Sequence, residues 1–328
     1  MLRQIAFAAA LVVFSSLAVF AADPLAAVYL ARGDAWIKKG DLDNAIKDYT
    51  EAIQLDQTNA LAYTSRGRAW GKKRDLDNAI KDFTEAIRID PTLTNAFLRR
   101  GDFRYEKGDL DNAIKDFTEA IRLDPKFAPA YHNRGFFWGL KGDLDKAIKD
   151  YTEAIRLDPK LSSTYTNRGR AWSEKGDLDD AISDYTEAIR LDPKFAHAFT
   201  GRGNAWFKKG EPDNAISDYT EAIRLDPKNA VAYRKLAWVF GASPNADFRN
   251  GSKAVEYAKH ACEISAWKDC YNLDALAAAY AEQGDFEEAI KWQEKAIELT
   301  TNEEEKAVLR TRIELYKEGK PYRDEPKK

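Results

Sequence analysis

The amino-acid sequence predicts an all-α solenoid of about eight helix-turn-helix repeats plus a C-terminal capping helix. Three observations carry that prediction. A six-residue run, Asp41-Leu42-Asp43-Asn44-Ala45-Ile46, returns almost unchanged from Asp75, Asp109, Asp143 and Asp177 at steps of 34 residues, and in altered form from Glu211. Within each period, small and apolar residues stand twice over at i, i+4 and i+7, which is the spacing of one helix face. Gly, Asp and Pro recur between those stretches, where helices start and stop. A fixed period of this length marks stacked helix pairs, each covering its neighbour's apolar face instead of closing a core of its own.

Residues 1–22 stand apart from everything after them. Arg3 supplies one positive charge, Ile5 to Phe20 is apolar apart from Ser15 and Ser16, and Ala21-Ala22 precede Asp23-Pro24. That order is the layout of a secretory signal, with Val19-Phe20-Ala21 as its small-residue cleavage site. The apolar run has 16 residues, just under the roughly 17 that span a bilayer, so the alternative is an uncleaved anchor. Export to a periplasm or to the medium is the expectation, with membrane contact only if the segment stays attached.

Residues 26–229 read as six regular repeats. In the second of them, residues 60–93, Tyr63, Gly67 and Trp70 share one face of a first helix, and Ala79, Phe83 and Ala86 share one face of a second. Gly67 and Ala79 are small because the paired helices cross closely there, so a larger side chain at either site overpacks it. Gly40, Gly108, Gly142 and Gly176 follow first helices, where a left-handed cap wants no Cβ. Arg74 takes that slot in repeat two and predicts a weaker cap. Each Asp that opens the recurring run is a helix N-cap former, and Pro91, Pro125, Pro159, Pro193 and Pro227 stop the second helices. Glu85 with Arg88, and Glu119 with Arg122, read as exposed i, i+3 pairs.

These markers, Tyr63, Gly67, Trp70, Ala79, Phe83, Ala86 and Pro91 with their counterparts through Pro227, resemble the tetratricopeptide repeat (TPR) family over nearly the whole length after residue 25. The resemblance implies a right-handed superhelix whose first helices line a concave groove that holds peptides. Carried over at the second, fifth, ninth and twelfth positions of each repeat, the groove residues are Arg68, Asp102, Tyr105, His132, Phe136, Arg170, His197, Asn204, Phe207, Arg234 and Trp238, with Asn133 and Asn167 one place beyond the fifth. Rings offer contact area at low entropic cost and the polar groups suit an extended backbone. The family's Lys and Asn set for a C-terminal carboxylate is not matched in order. Where the family has Leu before its Gly, this chain has Arg32, Arg66, Arg100, Arg134, Arg168 and Arg202. That stripe is read as packed stems with guanidinium groups on nearby acids, or alternatively as a ladder for acidic partners. Arg104 occupies an aromatic slot, and Gln57 a Pro slot.

Residues 230–301 read as two divergent pairs with a turn-rich insertion at 243–252, and residues 302–328 as a capping helix and tail. This stretch resembles the closing module of bacterial exported TPR proteins.

The chemistry to be expected is thin. The net charge of -3 leaves no basic excess to neutralise phosphates, so nucleic acid is not an expected partner. Phosphate-loop, nucleophile-elbow, zincin and CxxC patterns are missing, and no cofactor or metal is called for. His132, His197 and His260 stand without a second ligand or a nucleophile at working spacing. Cys262 and Cys270, eight apart, are either a disulfide in an oxidising compartment or two packed thiols. The expectation is a non-enzymatic scaffold for protein or peptide ligands. Its alternatives are self-association of similar repeats, or an enzyme site around Asp247, Arg249 and Lys253 in the insertion.

Overall fold

The computed structural model describes residues 24–324, and the signal-like segment 1–22 lies outside them. Seventeen α-helices occur among the described residues, with no strand. They are α1 Pro24–Lys39, α2 Leu42–Leu55, α3 Ala60–Lys72, α4 Leu76–Ile89, α5 Thr94–Glu106, α6 Leu110–Leu123, α7 Ala128–Leu140, α8 Leu144–Leu157 and α9 Ser162–Lys175. The chain continues through α10 Leu178–Leu191, α11 Ala196–Lys209, α12 Pro212–Leu225, α13 Ala230–Ala242, α14 Gly251–Ile264, α15 Cys270–Gln283, α16 Phe286–Leu299 and α17 Glu303–Lys317. One turn of 3₁₀ helix, Ala246–Phe248, interrupts the insertion. None of these helices is long and apolar enough to cross a membrane.

Packing divides the chain into two compact units, residues 1–137 and 138–328. The division falls inside α7, in mid-repeat, whereas the change from regular to divergent repeats at residue 230 lies within unit 2.

In unit 1 the pairs α1/α2, α3/α4 and α5/α6 are each sealed by one aromatic ring against one glycine. Tyr49, Phe83 and Phe117 are at most 1% exposed. A Cβ built on Gly33 would lie 2.5 Å from the Tyr49 ring, one on Gly67 3.1 Å from Phe83, and one on Gly101 2.8 Å from Phe117. Flanking alanines, such as Ala79 and Ala86 around Phe83, are fully buried. The close approach expected from the sequence is therefore a ring lying on bare backbone.

Unit 2 repeats this device in α9/α10 and α11/α12, where Gly203 faces Tyr219 at 2.7 Å. It then departs from it. In α13/α14 and α15/α16, Leu273 and Leu276 join Ala237, Ala254, Ala258 and Cys262 in an aliphatic core. Cys262 and Cys270 are both free thiols belonging to that cluster. Helix α17 covers the last pair through Leu309, Ile313 and Tyr316.

Punctuation follows local chemistry with three instructive differences. The carboxylates of Asp41, Asp75, Asp109 and Asp143 accept the backbone N–H three residues on, but Asp177 makes no such bond. In the first three, an Asn side chain at that third position donates back to the capping carboxylate, as Asn44 Nδ2 does to Asp41 at 2.7 Å. Repeat five has Asp180 there, and two carboxylates repel where a carboxylate and an amide bond. Arg74 holds φ +65°, a conformation that costs a residue with a Cβ about 1 kcal/mol. Helix α2 ends at Leu55 although Gln57 stands in the Pro slot, because Asp56 accepts the Thr58 N–H at 2.9 Å. The same Asp turn precedes Pro91, so the proline reinforces a stop that the acid already makes.

Candidate functional site

The Arg stripe lies on the first helices, and its guanidinium groups are committed to acids of the second helices. Arg32 clasps Asp48 at 2.6 and 2.7 Å, Arg66 clasps Asp82 at 2.8 Å twice, and Arg100 clasps Asp116 at 3.0 and 2.7 Å. Arg168 with Asp184 and Arg202 with Asp218 repeat the fork at 2.7 to 2.9 Å. The free guanidinium nitrogen then reaches the preceding repeat, as Arg66 Nη1 does to Thr50 Oγ1 at 3.0 Å and Arg202 Nη1 to Thr186 Oγ1 at 3.1 Å. Arg134 makes this bond to Thr118 at 3.2 Å. The stripe is structural, as one of its two sequence readings holds. In the aromatic slot of repeat three, Arg104 gives Asp116 a second cation at 2.8 Å. Trp36 serves Asp48 in the same way through its indole N–H at 3.1 Å.

Of the tryptophans in this slot, Trp36, Trp70, Trp172 and Trp206 pack against the core clusters with one face and keep the other partly open. Trp36, Trp70, Trp138, Trp172 and Trp206 are half-buried, each with a lysine ammonium 4.4 to 5.8 Å above the ring. Four such lysine-slot residues, Lys73, Lys107, Lys175 and Lys209, bridge back to Asp43, Asp77, Asp145 and Asp179 of the preceding repeats.

In unit 1 the candidate residues form two separate places. Arg68 lines a shallow hollow with Asp34, Tyr49 and Lys72. Asp102, Tyr105, Asn133 and Phe136 come together across α5 and α7. Asn133 donates to Asp102 at 2.9 Å, and the Tyr105 and Phe136 rings meet edge to face at 6.1 Å. Burial lifts the Asp102 carboxyl to about 6 against the pull of Arg99 and Asn133. His132 is partly buried, which lowers its pKa.

A carboxyl raised in the fold stabilises the protein in its neutral form. That contribution is whole below about pH 4 and is lost as pH rises through about 6. Asp102→Asn is therefore expected to melt like the parent at pH 4 and above it at pH 8, with a gap of up to about 2 kcal/mol. Thermal unfolding from pH 4 to 8 measures this, and a gap that does not change with pH would refute it.

Unit 2 holds the larger site. A cleft of about 980 Å³ is walled by α9, α11, α13 and the insertion. Four of the candidates converge on it: Arg170, Asn204, Phe207 and Trp238. Asn167 lies in the adjoining hollow that Arg170 also borders. Tyr219 fixes Asn204 by donating its hydroxyl at 2.8 Å, and Lys208 donates to the Ser173 carbonyl at 3.3 Å. Two candidates fall elsewhere. His197 is exposed beside the Phe195 ring at 5.8 Å, and Arg234 lies over the Tyr271 ring, 3.7 Å from Asp269.

The cleft also contains residues that the groove positions did not select, notably Lys208, Lys235, Phe248 and Asp324. Lys235 stands one place beyond the fifth in its repeat, the slot of Asn133 and Asn167, so that register was the available signal. Burial, with Arg234 and Lys208 nearby, pulls its ammonium down to about 8, while Asp324 opposes the shift. Trp238 is less open than a groove position implies. Its indole N–H donates to Asp324 at 2.7 Å, and the Arg312 guanidinium lies 5.0 Å from its ring.

The insertion residues are occupied structurally. Arg249 donates to the carbonyls of Ser243 and Pro244 and faces Glu282 at 3.3 Å, and Lys253 lies over the Phe240 ring. Among the described residues no group of three His, Cys, Asp or Glu side chains is placed to hold a metal ion.

Stacked helix pairs with a cleft of aromatic, amide and cationic side chains define a class of scaffold suited to protein–protein interaction. The chain belongs to the tetratricopeptide repeat family. Family profiles described as Tetratricopeptide repeat or TPR repeat match residues 33–74, 60–93, 101–137, 128–161, 166–230 and 270–303. No curated protein matches the chain. Among solved structures, it is similar to the APC/C hetero-tetramer Cut9-Hcn1, with TM-score 0.62 and 19% identity over 91% of this chain and 57% of that one. A tetratricopeptide repeat protein from Parabacteroides merdae matches with TM-score 0.56 and 15% identity over 90% of this chain and 100% of that one. YrrB, described as a TPR protein with an unusual peptide-binding site, matches with TM-score 0.50 and 20% identity over 57% and 96%. At these identities the likeness is one of fold.

Proposed function

We propose that this protein is a non-enzymatic scaffold that holds extended peptide segments of envelope or secreted proteins in the unit 2 cleft. One observation carries the reading: Phe207, Trp238 and Phe248 line the cleft together with Arg170, Asn204, Lys208 and Lys235. Aromatic walls gain affinity from desolvated area, and donors spaced between them satisfy backbone carbonyls and acidic side chains of a peptide. A small-molecule enzyme site would call for a nucleophile and a base in reach of each other, whereas mixed rings, amides and cations favour the peptide reading. The compartment of the partners follows from the signal-like residues 1–22.

The test is affinity capture from a cell-envelope fraction, comparing the parent with an Arg170→Ala, Phe207→Ala double variant. Captured proteins should drop at least tenfold while the helical circular dichroism melt stays within a few degrees. Undiminished capture by the folded double variant would take the cleft out of the function.

A further inference from the structure

The C-terminal tail does more than follow the capping helix. Helix α17 is closed by its own local bonds: Gly319 N–H donates to the Tyr316 carbonyl at 3.0 Å and Lys320 N–H to the Leu315 carbonyl at 2.9 Å. The chain then runs on without helix or strand from Pro321 and returns to α13, more than 80 residues back. There the Asp324 N–H donates to the Ala242 carbonyl at 2.9 Å, one of the carbonyls a helix end leaves unpaired. The Asp324 carboxylate takes the Trp238 indole N–H, Arg323 meets Glu282 at 2.6 Å, and the Tyr322 ring lies 5.7 Å from Trp238. Arg312 of α17 sits 4.3 Å from the Tyr322 ring.

These are the contacts of a bound extended peptide: a main-chain hydrogen bond, a tilted ring pair, an ion pair and a seated carboxylate in three successive residues. They occupy the Trp238 side of the cleft. Deeper in, no ion pair or hydrogen bond joins the Lys235 ammonium to another side chain among the described residues. The strap therefore neutralises the cation of its own site only in part, through the field of Asp324 and not through a bond.

The geometry points to residues 319–324 being a built-in competitor of the cleft, displaced by an extended acidic segment whose carboxylate reaches both Trp238 and Lys235. This deepens the scaffold reading and rests on it. The strap contacts are a few single hydrogen bonds, one ion pair and ring edges, each weak in net terms, so the strap is held by its tether more than by tight fit. A short tether gives an effective concentration of about a millimolar, enough to keep a micromolar trans ligand out unless that ligand makes the Lys235 contact as well.

The probe is a labelled synthetic peptide of the strap itself, Glu-Gly-Lys-Pro-Tyr-Arg-Asp, added to the full chain and followed by fluorescence anisotropy. A Tyr322→Ala, Asp324→Asn variant, whose own strap is loosened, should bind it at least tenfold more tightly than the parent. Trp238→Phe added to that variant should abolish the gain. Equal binding by parent and loosened variant overturns the proposal, and so does light scattering that shows the strap crossing into a second copy. Should the loosened variant fold poorly, hydrogen exchange in the parent decides. Excess unlabelled peptide must speed exchange of the 322–324 amides, and unchanged protection overturns the competitor. Loss of the strap result with envelope capture intact removes this proposal alone. Loss of both removes the scaffold reading.

Discussion

Replacing Asp218 by alanine is expected to cost about 3 kcal/mol, at the lower end of what breaking a buried ion pair removes. Arg202 holds both carboxylate oxygens, at 2.9 and 2.8 Å, with the acid side chain 7% exposed and the guanidinium 20%. Losing the acid strands a cation between helices, whose remaining partners are the Thr186 hydroxyl at 3.1 Å and the face of Phe199 at 5.7 Å. The partial exposure of Arg202 lets water recover some of the loss, hence the lower end of the range. The pair itself is not the source of the effect. Removing both charges in Arg202→Leu with Asp218→Ala leaves an apolar contact of similar volume, and exchanges of that kind are often neutral. Urea unfolding of the two single variants and the double variant, analysed as a cycle, checks this. A loss under 1 kcal/mol in Asp218→Ala would mean that the fork is ornamental.

Gly203→Val is the other large effect, about 3 kcal/mol of destabilisation. The first added carbon would lie 2.7 Å from the Tyr219 ring, and that ring is fully buried with its hydroxyl committed to Asn204. It has nowhere to retreat. In an exposed helix, filling a glycine gains up to about 1 kcal/mol of propensity, and a β-branched residue gains less. Propensity therefore loses to overlap at Gly203. The corresponding gap at Gly67 is 3.1 Å, so Gly67→Ala should come out much nearer neutral. Melting curves for the two variants test the ordering, and a Gly203 variant as stable as the parent would show that the Tyr219 ring yields.

Much of the repeat is legible in the sequence alone, because it depends on neighbours within two helical turns. The spacing i, i+4 and i+7 puts Gly67 on the packing face of one helix and Phe83 on that of the next, and the crossing of the two helices then lays the ring on the glycine. Local patterning misleads where the partner is of the wrong sign. Asp177 fits the N-cap pattern by its own identity, but Asp180 replaces the amide that braces the caps at Asp41, Asp75 and Asp109. The groove is legible in part. The ninth and twelfth positions put Arg170, Asn204, Phe207 and Trp238 on one cleft, while the second and fifth put His197 and Arg234 outside it. A register rule says which face a residue takes. It does not say whether a side chain from another element has reached that face first, as Asp269 and Tyr271 have at Arg234.

The sequence by itself determined the helical class, the 34-residue period, the small and aromatic positions on each helix face and the stops, all properties of the repeat pattern. Tertiary structure decided the rest. The Arg stripe became a set of forks on Asp residues 16 positions away, which depends on how two helices cross. Lys235 became the buried cation of a cleft through burial by neighbouring elements. Trp238 acquired a partner 86 residues distant, in a tail that carries no repeat signal at all. Periodicity marks which positions recur without saying which side chains two crossing helices bring together, and a contact made once, across the chain, leaves no trace in it.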